Sequence, residues 1–309
     1  MTTGAEAVHT PVLLAEVMTA LEPKPGGVYV DATLGLGGHS EEILRRSSPT
    51  GRLIGFEWDE EALRLAQERL APFGERVTTL RRNFAEMADT LAGLGVAQVD
   101  GILIDAGMSS LQLDRGGRGF SFQKDEPLDM RMDSRRGQTA AALLATASEE
   151  ELADIFFYYG EEKQARRIAR AIAEARIKSP LQTSRELAEL VARAIPRRFH
   201  PPKIHVATKT CQALRIVING ELENLARLLA DAPALLNQNG KLAVISFHSL
   251  EDGLVKRAFR AGHGLSEKTK HPICAGDEEI GRNPRARSAR LRVAEKTEKR
   301  GEDHEKLPL

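Results

Sequence analysis

The sequence predicts an α/β domain with a mainly parallel sheet, interrupted by a long all-helical insertion. Three observations carry that expectation. Short apolar, β-branched runs alternate with helical segments over the first third of the chain. The alternation stops near Leu113, and helical texture takes over. Strand texture returns near Lys241. Strands alternating with helices build right-handed βαβ units on a parallel sheet. A chain of 309 residues is long enough for this, as two domains or as one domain carrying an insertion.

The elements follow in order. Strands are expected at Val28–Thr33, Arg52–Trp58, Val77–Arg81 and Val99–Asp105, with helices at Ser40–Arg46 and Glu60–Leu70 between them. Asp114–Gly119 is rich in glycine and arginine, and 121–136 is polar and aperiodic around Pro127. Helices are then expected at Thr139–Thr146, Glu149–Tyr158, Glu161–Ile177 and Ser184–Ala194. In the third of these, Ala165, Ile168, Ala169 and Ile172 keep helical spacing, with Arg166, Arg167 and Arg170 among them. Pro196 to Pro202 breaks the run. A long helix, Thr208–Leu229, should break near Asn219-Gly220. Asn239-Gly240 reads as a turn before a strand at Lys241–Phe247. A helix at Leu250–Arg260 follows, with Ser249 and Asp252 in capping-box spacing. A last short strand is expected near Ala289–Val293. The domains are therefore 1–114 with 207–309, and an inserted helical domain at 115–206.

Composition excludes several classes. The 44 basic and 44 acidic residues cancel, so this is not a globally basic nucleic-acid binder, although a local basic face stays open. No stretch is apolar for long enough to span a membrane, and the start MTTGAEAVHTPV has no signal-peptide character. Cys211 and Cys274 are too few for a disulfide scaffold and read as packing residues, so a reducing cytoplasm is expected.

The segment from Asp31 to Ser40, DATLGLGGHS, follows the first strand and opens a helix. Gly35, Gly37 and Gly38 permit a tight turn and close ligand approach, and the helix N–H groups face that ligand. A side chain at Gly37 is expected to enter the ligand's space. Glu57 ends the second strand, where an acid accepts ribose hydroxyls. Asp105 ends the fourth strand, at the edge where open α/β sheets bind ligands. The third glycine of a dinucleotide loop is replaced by Ser40. Three carboxylates at three strand tips would repel a pyrophosphate and suit a cationic, ribose-bearing donor such as S-adenosyl-L-methionine. Phe84 is placed to pack on adenine or to join the core. His39 is placed to meet a ligand carboxylate or to sit at an exposed helix start. The histidines lack metal-ligand spacing, and no metal is expected. Ser246, His248 and Ser249 border the same crevice, Ser249 doubling as a helix N-cap.

Two stretches carry basic residues and no acid. One, 191–220, holds Arg193, Arg197, Arg198, Lys203, Lys209 and Arg215. The other, 282–292, holds Arg282, Arg285, Arg287, Arg290 and Arg292. Both are candidates for a phosphate backbone, or for faces whose charge is paired elsewhere in the fold.

These motifs together resemble the ribosomal small subunit methyltransferase H family, also called the MraW family. The resemblance runs through HTPVLLAEV at 9–17, DATLGLGGHS at 31–40, RGFSF at 118–122 and LDMRMD at 128–133. It continues with YGEEKQARRIAR at 159–170, QALRIVINGEL at 212–222, ISFHSLED at 245–252 and NPRARSARLR at 283–292. It implies a Rossmann-like class I methyltransferase fold and S-adenosyl-L-methionine as methyl donor. It implies methylation of the exocyclic N4 of a cytosine, position 1402 of bacterial 16S rRNA, in the decoding region of the small ribosomal subunit. The donor-binding pattern falls on Gly37, Gly38, His39, Phe84, Asp105 and Gln112, and its ribose acid on Glu57, where the family usually has Asp. Asp105 is the one candidate catalytic residue, since it can serve either the donor or the target amine. Ala106, Val206, Cys211 and Gly253 depart from the pattern. No membrane partner is expected, and a homodimer is left open.

Overall fold

The computed structural model describes residues 10–107, 112 and 117–297. The chain divides into two compact units. One is Met1–Gly107 with Asn224–Leu309, and the other is Met108–Glu223.

The first unit is built on a seven-stranded sheet in the order β3-β2-β1-β4-β5-β7-β6. Its strands are β1 Val28–Asp31, β2 Arg52–Phe56, β3 Val77–Leu80, β4 Val99–Asp105, β5 Leu236–Ser246, β6 Leu265–Glu267 and β7 Arg290–Lys296. The strands from β3 to β5 are parallel, and β7 runs antiparallel to both of its neighbours. This is a doubly wound sheet, and alternation of side chains along each strand fills both faces. One face buries Val30, Ile54, Phe56, Ile102, Ile104 and Val244 against α4 (Met87–Gly93), α10 (Glu221–Leu235) and α11 (Ser249–Ala261). The opposite face buries Tyr29, Leu53, Leu103 and Ile245 against α1 (Leu14–Leu21), α2 (Gly38–Arg46) and α3 (Glu60–Leu70).

Two local readings of the sequence change. Asn239-Gly240 is not a turn before the strand, because β5 runs through it. Asn239 adopts φ 65° and the β4–β5 register slips between Val99 and Gly101, so the turn residues absorb a bulge. The cap of α11 is His248, not Ser249. The His248 ring accepts from the Glu251 N–H, and the Glu251 carboxylate returns to the His248 N–H. A histidine nitrogen does here what a serine hydroxyl usually does. The sequence also did not announce β6 or the short helix α12 (Asp277–Arg282), which are too brief to show a period.

The second unit contains α5 (Ala140–Thr146), α6 (Glu149–Tyr158), α7 (Ala165–Lys178), α8 (Ser184–Ala194) and α9 (Thr208–Asn219). Ser148–Glu151 and Thr183–Glu186 form capping boxes at the starts of α6 and α8. Leu144, Leu152, Phe156, Ile168, Ile172, Leu187, Val191 and Leu214 fill its core. This unit extends to Glu223 rather than ending at 206. The apolar face of α9, with Cys211, Ala213, Leu214 and Ile216, is buried in the helical unit, and α9 packs on α5 and α6. Gly220, at φ 58°, ends α9. Only α10 beyond it returns to the sheet, through Leu225, Leu228 and Leu229.

The polar stretch before α5 is a built loop. Arg118 donates to the carbonyls of Arg131 and Met132, and Arg131 forks onto Asp129. The Asn219 amide accepts from the Met132 N–H and donates to the Met130 carbonyl. Buried Glu126 accepts from the Gly119 N–H. Charged side chains satisfy the backbone here, which is why the segment looked aperiodic.

Candidate active site

The C-terminal tips of β1, β2 and β4 hold Asp31, Glu57 and Asp105 side by side. Register pairs Asp31 with Gly55 of β2 and with Leu103 of β4. The loop after β1 is tied to each tip. The Thr33 N–H donates to Asp31 Oδ1 at 3.1 Å, and the Ser40 hydroxyl donates to Asp31 Oδ2 at 2.6 Å. The Asp105 N–H donates to the Thr33 hydroxyl at 2.6 Å. Glu57 Oε2 accepts from the Gly35 N–H at 2.9 Å, and its Oε1 accepts from the Asp59 N–H at 2.8 Å. Ser40, which breaks the dinucleotide pattern, is thus explained by the fold, since its hydroxyl pins the buried first carboxylate.

Burial dominates the electrostatics of all three acids, because removing a carboxylate from water penalises the charged form. Asp31 is pushed up to about 6, against the lowering effect of its Ser40 and Thr33 hydrogen bonds. Glu57 is pushed up to about 7, with backbone N–H groups opposing the rise and Asp59 adding to it. Asp105 is pushed up to about 8, with repulsion from Asp31 and Glu251 reinforcing burial. The Asp105 side chain keeps 26% of its surface, yet its Oδ1 is buried without a hydrogen-bond partner. A buried acceptor left unpaired costs stability and marks where a donor group belongs.

The other expected residues sort differently. Gly37 is left-handed, at φ 77°, but a Cβ there would press on Leu70 at 3.3 Å and Ala66 at 3.5 Å. Its smallness serves the backbone and the packing of α2 on α3, so the expectation that a side chain would enter ligand space is corrected. A Cβ on Gly38 would strike Pro11 at 2.4 Å, again a packing constraint. Of the three loop glycines, Gly35 is the one whose Cβ would stand clear, with only a Thr33 carbonyl 3.8 Å away. His39 is buried, not an exposed helix start. Its Nε2 lies 2.9 Å from the Val12 carbonyl, and its Nδ1 lies 3.8 Å from Asp105 Oδ2. Phe84 opens a turn after β3 and packs partly on the sheet core, retaining some exposed ring. Gln112 is buried but belongs to the second unit, and its neighbours 108–111 and 113–116 lie outside the described residues. Cys211 is buried, which pushes its thiol up to about 12 and leaves it a packing group. Cys274 is exposed, so its expected packing role is corrected.

Glu251 went unnoticed in the sequence. It is 2% exposed, accepts from the Phe247 and His248 N–H groups, and repels Asp105. The ISFHSLED block contained the signal: a buried acid three residues after the cap is a capping-box acid.

The acid-free basic stretches are not acid-free in space. Arg215 forks onto Glu221, Arg193 faces Glu189, and Lys209 donates to the Glu161 carbonyl. Arg292 is buried against Asp252 and Glu267, Arg290 lies 3.5 Å from Asp252, and Arg282 pairs with Glu278. Arg197, Arg198, Lys203 and Arg287 remain exposed.

Residues 6–297 match the MraW methylase family. The chain belongs to that family. Curated relatives agree along its length. A protein of Desulfotalea psychrophila named "Ribosomal RNA small subunit methyltransferase H" is 57% identical over 94% of this chain and 99% of its own. Proteins of the same name from Sorangium cellulosum and Syntrophus aciditrophicus are 52% and 49% identical, covering 93% and 96% of this chain and 90% and 100% of theirs. The doubly wound, mostly parallel sheet agrees with the α/β fold expected of the family, with β7 reversed in the sheet. No helix among the described residues is long and apolar enough to cross a membrane.

The MraW acid cluster fits a cationic, ribose-bearing donor. Glu57 accepts backbone N–H groups of Gly35, Asp59 and Trp58 and has acceptor capacity left for a hydroxyl. Asp31 supplies negative charge in a low-dielectric site, and Gly35 leaves room for close approach.

Two outcomes are expected. Gly37→Ala should destabilise the protein by about 1–3 kcal/mol, the range for a strained left-handed residue, with donor affinity changed little once folded. Thermal melting beside calorimetry reads both. Secondly, the raised carboxyls hold protons in the folded state that an unfolded chain has released. Stability should therefore fall as pH rises from about 4, the ordinary carboxylate range, to about 8, the Asp105 value. Asp105→Asn should melt higher than the parent at pH 8 and flatten that profile; a profile unchanged by the substitution would refute the assignment.

Proposed function

We propose that this chain transfers a methyl group from S-adenosyl-L-methionine to the exocyclic N4 of a cytosine in small-subunit ribosomal RNA, the base at position 1402 of 16S rRNA. The observation that carries the reading is the unpartnered buried Oδ1 of Asp105 beside two further buried acids and a glycine loop. Names of the relatives, quoted above, support a ribosomal RNA acceptor. The helical unit is assigned to RNA docking, the target being presented within the small subunit.

When bound, S-adenosyl-L-methionine supplies an electrophilic methyl. Asp31, Glu57, Phe84 and the loop at Gly35–His39 would hold it. Glu57 accepts the ribose hydroxyls, and the Gly35 and Asp59 N–H groups keep its carboxylate aimed. Phe84 offers a ring face to the adenine. Asp105 Oδ1 accepts an N–H of the target amine, concentrating electron density on a nitrogen whose lone pair is delocalised into its ring. The same oxygen takes the proton that the amine loses as its new N–C bond forms. A carboxyl with raised proton affinity is a better acceptor than an ordinary aspartate. The Thr33 hydroxyl on the Asp105 N–H fixes the tip of β4, so the acceptor is held in place beforehand. The target base must leave its stack to reach this group.

Glu57→Ala should weaken donor binding by about 1–3 kcal/mol, the cost of lost hydrogen bonds to a charged group, while Glu57→Asp keeps most of it; equal affinities for the two variants in calorimetry would refute the ribose assignment. For Asp105, kcat/KM should rise with pH and level off above about 8. Asp105→Asn should lower kcat by about 100-fold to 10,000-fold, the usual yield of acid–base help, with donor affinity retained. A variant that instead loses donor affinity and keeps kcat would reassign Asp105 to the donor. Methyl transfer to 30S subunits, free 16S rRNA and DNA, with mass mapping of the modified base, tests the reaction itself. Product on DNA alone, or on another atom, would overturn it.

A further inference from the structure

The helix α7 carries a feature that neither the fold nor the reaction site uses. Its exposed face presents Lys163, just before the helix, then Arg166, Arg167 and Arg170. Spacings of three, four and seven place them on one face. Further along, the same face carries Glu174 and Ile177, the latter 84% exposed. The opposite face, Ala165, Ile168, Ala169 and Ile172, is buried. Among the described residues Lys163, Arg166 and Arg167 have no acidic partner within ion-pair distance, and Arg170 reaches only Glu149 at 3.5 Å.

Folding does not account for this charge. The first turns of a helix favour acids, because the peptide dipoles leave them positive. The first turn of α7 has no acid, and no side chain caps it. Arg166 and Arg167 in that turn, with Lys163 just before it, repel one another and the helix end.

A second feature adjoins it in the chain. At the end of α6, Phe157 and Tyr158 are 56% and 63% exposed, their rings edge to face with centroids 5.1 Å apart. Phe157 and Tyr158 are among the few large apolar side chains exposed among the described residues. The turn between α6 and α7 is firmly built. The Glu162 N–H donates to the Phe156 carbonyl, Lys209 donates to the Glu161 carbonyl, and a Cβ on Gly160 would strike two carbonyl oxygens at 2.7 Å. The aromatic pair and the basic stripe are thus held on one rigid corner of the helical unit.

We infer that this corner binds a single-stranded stretch of the RNA substrate, with phosphates on Lys163, Arg166, Arg167 and Arg170 and bases stacked on Phe157 and Tyr158. Phosphates match a row of unpaired cations, and aromatic rings take bases of any sequence. This rests on the RNA acceptor proposed above, and it adds a docking site apart from the acid cluster.

The test uses the full-length protein and a 16S rRNA transcript, with affinity measured over a range of salt. Converting Arg166, Arg167 and Arg170 to Ala should flatten the salt slope by about 0.7 per lost phosphate contact, on the order of four-fold in affinity each near physiological salt. Phe157→Ala with Tyr158→Ala should weaken binding with the slope unchanged, since stacking releases no counterions. Arg166→Glu with Arg167→Glu should all but abolish RNA binding while holding or raising the melting temperature. Donor affinity by calorimetry should stay at the parent value throughout. An unaltered slope and affinity in the arginine variants, or a lower melting temperature with an unaltered slope, overturns the inference and leaves the RNA reaction standing. A parent protein that neither binds nor methylates the transcript or 30S subunits overturns both.

Discussion

Three carboxylates stand at the tips of three adjacent strands, Asp31 and Glu57 buried and Asp105 with one oxygen buried, and the first unit is arranged around holding them there. Asp31 takes the Ser40 hydroxyl and the Thr33 N–H, Glu57 takes the Gly35 and Asp59 N–H groups, and Asp105 is anchored through its own N–H to Thr33. All but the Ser40 bond use a backbone N–H that the loop would otherwise leave unsatisfied. The loop is therefore shaped by the acids as much as by its glycines. Burial raises the proton affinity of all three acids, so the unliganded site is under electrostatic strain. A cation placed among them relieves that strain, which links donor binding to the same physics that destabilises the free site.

Glu251 extends the constraint to the far side of the crevice. By accepting two N–H groups at the end of β5 it sets the Phe247–His248 turn, and its charge adds to the field on Asp105. A cap that would elsewhere be a helix-starting device here also tunes the proton affinity of the candidate acceptor. The chain thus uses one buried acid for both local structure and electrostatics.

The helical unit follows a different logic. Its loop before α5 is held by polar and charged side chains folded onto backbone carbonyls, as with Arg118, Arg131 and Asn219. Its basic residues divide between those consumed in such contacts, such as Arg215 on Glu221, and those left facing solvent, such as Arg166 and Arg167. A neutral total charge conceals this division. The concentrated positive faces arise because acids elsewhere neutralise the interior arginines, not because the protein is basic.

β5 begins five residues before its expected start and β6 was not foreseen, whereas the sequence by itself determined the α/β class, the first four strands to within a residue or two, the helical insertion and the three acids at the strand tips. Each of these rests on local periodicity or on a turn at a strand end, which need only a few neighbouring residues. The family resemblance rested likewise on contiguous motifs. Tertiary structure alone decided which side chains are free. Arg292 and Arg287 belong to one basic run, yet one is buried in a carboxylate pair and the other is exposed. Gly37 and Gly35 belong to one glycine loop, yet a Cβ on the first meets the side chains of a helix and a Cβ on the second meets only the Thr33 carbonyl at 3.8 Å. Ser40 and Glu251 acquired their roles from groups far away in the fold or set by its turns. Pairing and burial depend on three-dimensional neighbours that no local pattern specifies, and so the site's residues were legible in the sequence while their division of labour was not.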